Sequence, residues 1–195
     1  MKAAAIIAAS AAFAVFPLLT ASNYFIGIII SGLLYTVAAA ALNLVYGYAG
    51  LLSFAQLGFW GIGGYGAALT VMRFGGDFWA GLALAGLVPA ALAAVIGLPT
   101  LRTRRHAFVI VTLTFALLAD LVARNWVGLT RGALGIPGLP APVFFGFSLH
   151  TPARFYYIAY AYALLALGFL HLLGTSRIGQ VLKAIKQNEP LTQSQ

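Results

Sequence analysis

Long apolar runs alternate along the chain with short breaks that hold most of its charge. Residues 3–21 form the first run behind a single Lys2, and a helix of that length spans a hydrocarbon core of about 30 Å. A cleavable signal is the alternative, since a lone lysine, an alanine-rich core and a small-residue end all fit one. The run exceeds the usual signal core of about 7–15 residues, so a retained helix is expected. Asn23 and Tyr24 break the pattern, and residues 25–46 make a second run. Gly47-Tyr48-Ala49-Gly50 reads as an uncharged turn, after which residues 52–72 return as a third helix. Residues 73–77 are the next loop, with Phe78 or Trp79 as an interfacial anchor. Residues 79–101 give a fourth span kinked at Pro89, and residues 107–122 a fifth. Residues 125–154 are too polar and too rich in Gly and Pro to span, and read as a structured external loop. Residues 155–174 form the sixth span, with Tyr156, Tyr157, Tyr160 and Tyr162 as an aromatic belt. Thr175-Ser176 reads as a helix cap. The segment that follows, up to Pro190, places Ile178, Val181, Leu182 and Ile185 on one face of an amphipathic helix. The expected fold is an all-α polytopic transmembrane bundle of about six spans, with residues 1–174 as the membrane domain and 175–195 as a cytoplasmic segment.

Composition narrows the class. The hydrophobic fraction is 62%, the charged fraction 7% and the mean hydropathy +0.97, which exclude an ordinary soluble domain. The net charge of +8 does not point to nucleic acid, because the eleven Lys and Arg sit at the ends of apolar runs rather than along one face. The densest cluster, Arg102-Thr103-Arg104-Arg105-His106, belongs on the cytoplasmic side by the positive-inside tendency. Alternate crossing then puts Lys2 and the C-terminal basic segment inside and residues 73–77 outside. Asp120 and Arg124 stand one helical turn apart near the outer end of the fifth span, where they can pair or reach water. With no cysteine, three acidic residues and three histidines, metal, cofactor or acid-base chemistry has little material.

Residues 42–72 differ from the other runs. They carry seven glycines and the isolated polar groups Asn43, Ser53 and Gln56. In water each glycine inside a helix costs about 1 kcal/mol relative to alanine. In lipid, small residues instead let backbones approach, and Gly63 with Ala67 and Gly64 with Ala68 are small-xxx-small pairs of that kind. The stretch reads as packing surface around a pathway, with Ser53, Gln56, Gly61 and Gly64 on the pathway face and Gly63 in the packing. The alternative is that all of them pack helices. A serine-type intramembrane hydrolase has Ser148, His150 and His171 as its only candidates. Ser148 and His150 fall in the external loop and His171 near the opposite face, which argues against a connected nucleophile and base.

Four blocks, LNLVYGYAGLLSFAQLGFWGIGGYGAALT, LRTRRHAFVIVTLTFALL, NWVGLTRGALGIPGLP and SRIGQVLKAIKQNEP, resemble in order the M-type permease subunit of branched-chain amino acid ABC importers. The resemblance runs from about residue 25 to the end. It implies inner-membrane uptake of branched-chain amino acids, or of related small solutes such as urea or amides, by ATP-driven alternating access. It also implies a periplasmic binding protein outside, a paralogous H-type permease beside this subunit and ATPase subunits inside. The segment with Arg177, Gly179, Lys183, Lys186 and Glu189 resembles the start of the loop that contacts the ATPases; on pattern alone, a helix lying on anionic lipid is the alternative. Many family members carry an acidic residue near the position of Leu117 and a basic one near Asp120, so no role is carried to either. Members also continue into further spans beyond this loop. The chain thus resembles the N-terminal part of a permease, and a truncated or split subunit, or an assembly scaffold without transport of its own, is the alternative.

Overall fold

The computed structural model describes residues 13–20, 22–100, 105–140, 143–144 and 147–187. Helical residues 13–19 (α1) are followed by α2 (Asn23–Asn43), which passes directly into a π-helical segment, Leu44–Ala49. Then come α3 (Ala55–Arg73), α4 (Phe78–Thr100), α5 (Arg105–Asn125), the single turn α6 (Val127–Thr130) and a 3-10 turn, Gly132–Leu134. Two-residue strands β1 (Val143–Phe144) and β2 (Phe147–Ser148) precede α7 (Pro152–Thr175) and α8 (Arg177–Gln187). Among the described residues the fold is helical apart from those strands, as the hydrophobic periods require. Four segments there are long and apolar enough to cross a bilayer: Asn23–Ala49, Phe78–Thr100, Ala107–Asn125 and Pro152–Thr175. Most of the first expected span lies outside the described residues. Helix α3, with 19 residues, stands apart from the four because its glycines, Gln56 and Arg73 lower its hydropathy.

Two boundaries differ from the sequence reading, and both for a backbone reason. The expected turn at 47–50 is helical up to Ala49, and the reversal falls on Gly50, whose φ of 72° lies in the left-handed region that favours glycine. There the Gly50 N–H donates to the Tyr46 carbonyl at 3.1 Å and the Leu51 N–H to that of Val45 at 3.4 Å. Residues 51–54 are not helical, so α3 starts at Ala55 rather than at residue 52 and Ser53 precedes it. At the other end of α3 the same device recurs. Arg73 is still helical, Gly75 takes φ 63°, and the Gly76 N–H reaches back to the Thr70 carbonyl at 3.0 Å. Asp77 then caps α4, accepting the Ala80 N–H at 2.8 Å.

The helices gather into two compact units. In the first, Met1–Leu44 with Gly146–Gln195, α2 and α7 pack start against start: Ile26 and Ile30 meet Tyr156 and Ala159. Tyr156 is fully buried, lies parallel to the Tyr160 ring at 6.2 Å, and donates its hydroxyl proton to the Phe13 carbonyl of α1 at 2.6 Å. The expected aromatic belt is therefore divided. Tyr156 and Tyr160 pack with α2 because that side of α7 is covered, while Tyr157 and Tyr162 remain exposed. Thr175 and Ser176 do cap a helix end, but it is the end of α7: their hydroxyls donate back to the carbonyls of His171 at 3.0 Å and Leu173 at 2.7 Å.

In the second unit, Val45–Phe145, α3 is the central element. Its contacts with α4 run in opposite order, Gly63 against Ala85 and Pro89 and then Ala67 against Gly81, so the two are antiparallel. Its contacts with α5 ascend together, Phe54 with Thr112 and then Gly58 with Phe115 and Ala116, so those two are parallel. These directions are the ones that successive membrane crossings demand.

Candidate functional site

Glycines on α3 face two different surroundings. A Cβ added at Gly63 would stand 2.8 Å from the Ala85 carbonyl oxygen and 3.4 Å from Pro89 Cγ, and one at Gly58 would stand 3.0 Å from the Phe115 ring. Those positions let backbones meet, the use lipid-embedded helices make of small residues. At Gly61 and Gly64 a Cβ would meet nothing within 4 Å. Both instead line an open groove of about 180 Å³, together with Tyr65, Ala68 and Ile136, the last supplied by the loop after α6. Of the two small-residue pairs, Gly63 and Ala67 are used against α4, whereas Gly64 and Ala68 border the groove.

The four residues expected on one pathway face are not brought together as a set. Gly61 and Gly64 share the groove. Gln56 is half-buried in the first turn of α3, and Ser53 is half-buried in the non-helical residues before it. The start of α3 is held from outside the helix: Thr112 of α5, a buried residue, accepts the Phe54 N–H on its hydroxyl at 3.3 Å and donates to the Val109 carbonyl at 3.0 Å. Thr112 went unnoticed in the sequence because one threonine in a run of β-branched residues carries no signal of what faces it. Ile136 was equally silent, being placed by loop geometry.

At the opposite end of this unit, Arg73 donates to the Gly128 carbonyl at 3.1 Å, joining the end of α3 to α6. Asp120 and Arg124 form the expected pair, with Arg124 Nε at 3.0 and 2.8 Å from the two carboxylate oxygens. Both side chains are exposed, so the pair contributes little. Thr130 organises the loop. Its hydroxyl lies 2.6 Å from the Ala123 carbonyl and 2.8 Å from that of Trp126, and accepts the Gly132 N–H at 3.2 Å.

On the first unit, α8 leaves α7 through a close elbow at Ser176. Gly179 is buried there, and a Cβ on it would overlap the carbonyls of Gly174 and Leu173. Arg177, Ile178, Val181, Lys183 and Lys186 are exposed along α8 and Leu182 is half-buried, so Ile178 and Val181 of its apolar stripe face outward. Glu189 lies outside the described residues. The hydrolase candidates do not converge. His150 precedes α7 and His171 stands on it 19 residues after Pro152, about 28 Å along the axis at ~1.5 Å per residue. The His171 side chain is exposed. Among the described residues no three His, Cys, Asp or Glu side chains gather to hold a metal.

Residues 24–195 match the family described as branched-chain amino acid transport system / permease component. Over 122 residues, 63% of this chain, it is 38% identical to the high-affinity branched-chain amino acid transport system permease protein LivM of Salmonella typhimurium. It is 37% identical over 122 residues to the protein of the same name from Escherichia coli. The matched stretch spans 29% of the length of each of these curated relatives. No solved structure matches the chain. The family match covers most of the sequence, and four helices among the described residues are long and apolar enough to cross a membrane. The chain belongs to the branched-chain amino acid transport system permease component family, and is a multi-pass protein of the bacterial inner membrane.

Proposed function

We propose that this chain is the M-type membrane subunit of an ABC importer that carries branched-chain amino acids into the cytoplasm by ATP-driven alternating access. The observation that carries the reading is the family match over residues 24–195, which takes in the glycine-packed helices and α8 alike. An H-type permease stands beside it, a periplasmic binding protein delivers substrate, and separate ATPase subunits supply the energy. The substrate path runs past Ser53, Gln56, Gly61 and Gly64, and at Gly61 and Gly64 the groove supplies open space beside α3. Residues 1–174 form the membrane part, and 175–195 begin the coupling segment.

Transmission of force needs a rigid joint and an outward surface. Gly179 supports the joint, because its missing Cβ lets α8 start hard against the end of α7. Ile178 and Val181, 62% and 52% exposed, with Arg177, Lys183 and Lys186 beside them, supply the surface. A partner shifts the helices between states only if its contacts differ between those states. Reversing charge with Lys183→Glu and Lys186→Glu tests this reading in the assembled importer. Copurification of the ATPase subunits and leucine uptake should both fall; full retention of both would sink the coupling role.

A further inference from the structure

The chain departs from helix at residues 51–54, and the end of that departure is held by a side chain from another helix. Phe54 precedes α3, so its N–H is one that the helix itself does not satisfy. Thr112 takes that proton at 3.3 Å and gives its own to Val109 at 3.0 Å. One turn further on, Gly58 lies directly against Phe115 and Ala116, so the two helices stay in close contact beyond the bond. The bond is neutral and long, and hence easily exchanged for a bond to water. Ser53 is the adjacent residue. Non-helical backbone at membrane depth is stable only where protein or a water-filled cavity surrounds it. The charge bias puts this end of α3 on the cytoplasmic side, with the basic cluster that leads into α5.

We propose that Thr112 is a positioning residue for transport: its hydroxyl latches residues 51–54 onto α5 and thereby sets how far Ser53 opens to cytoplasmic water. The proposal rests on the reading of Ser53 as part of the substrate path. With the latch closed, Phe54 is bonded within the protein. With it open, the Phe54 N–H and the Thr112 hydroxyl both turn to water, and the segment moves at its element-terminal residues, where backbone rotation is absorbed.

The absence of cysteine makes the test direct, since Ser53→Cys gives this chain a single thiol. In inside-out vesicles holding the assembled importer, a membrane-impermeant maleimide reads its exposure from the cytoplasmic side. Adding Thr112→Val should raise the labelling rate roughly three- to tenfold, the range for one neutral hydrogen bond. Thr112→Ser should restore the original rate, and a thiol placed instead by Ala163→Cys, at a buried position on α7, should stay unlabelled in all backgrounds. No change with Thr112→Val, or equal labelling at position 163, would overturn the latch. Hydrogen exchange on the unmodified importer needs no variant: protection of the Phe54 amide should change when a non-hydrolysable ATP analogue is added, and constant protection would overturn it as well. Leucine uptake by the same preparation separates this proposal from the reading beneath it. A labelling change with unaltered uptake would remove Ser53 from the path and leave the bond as a packing contact.

Discussion

Gly63 on α3 lies so close to Ala85 on α4 that a Cβ at Gly63 would stand 2.8 Å from the Ala85 carbonyl oxygen. That carbonyl is the one from which Pro89, four residues on, withholds a helical N–H. A proline defect in one helix is thus covered by the bare backbone of its neighbour, whose Cα–H groups can approach the freed oxygen. Gly63→Ala would push against backbone, which cannot swing aside as a side chain does. A loss of about 1–3 kcal/mol is expected, seen as a lower melting temperature in detergent. Gly64→Ala, one residue away with open space around it, should leave that temperature within error.

Tyr156 ties α7 to α1 through a 2.6 Å bond to the Phe13 carbonyl. Tyr156→Phe keeps the ring against Ile26 and Ile30 and removes only that bond, for an expected cost of about 1 kcal/mol. Tyr156→Ala also empties the site and should cost about 3–5 kcal/mol. Thermal unfolding of the two variants side by side reads the difference, and equal losses would refute the separate role given to the hydroxyl.

The loop beyond α5 depends on one buried hydroxyl. Thr130→Val keeps the side-chain shape but leaves the Gly132 N–H without the acceptor it has now. The expected result is faster proteolysis within residues 127–140, with little change in cleavage around residues 74–77. Unchanged proteolysis would show that the turn holds without Thr130.

At the elbow between α7 and α8, Gly179→Ala places a Cβ into the carbonyls of Gly174 and Leu173. Both copurification of ATPase subunits and folded yield should fall together. The charge reversals at Lys183 and Lys186 should lower copurification at normal yield, because both side chains are exposed. Those reversals, and not a change at Gly179, isolate the partner surface.

What the sequence disclosed and what it withheld divide along physical lines. Long apolar runs announce spanning helices because the bilayer allows few other solutions, and the 79–101 run appears as α4 within one residue at each end. The exit from the second span was misplaced because π-helical backbone has no side-chain signature, and only Gly50 carried a local clue. The glycines of α3 were legible as a class but not individually. Gly63 faces a carbonyl and Gly64 faces space, a distinction made by where α4 lies. Tyr156 looked like an interfacial tyrosine because burial by α1 and α2 depends on segments distant in sequence. Thr112 and Ile136, each supplied from outside α3, left no pattern to read.

The proposed role in ATP-driven import of branched-chain amino acids is tested by uptake of labelled leucine into right-side-out membrane vesicles. Vesicles from cells with the gene intact should accumulate leucine when energised and supplied with the binding protein. Vesicles from cells lacking only this gene should fall to the level of an unenergised control. Equal accumulation in both would rule out that role.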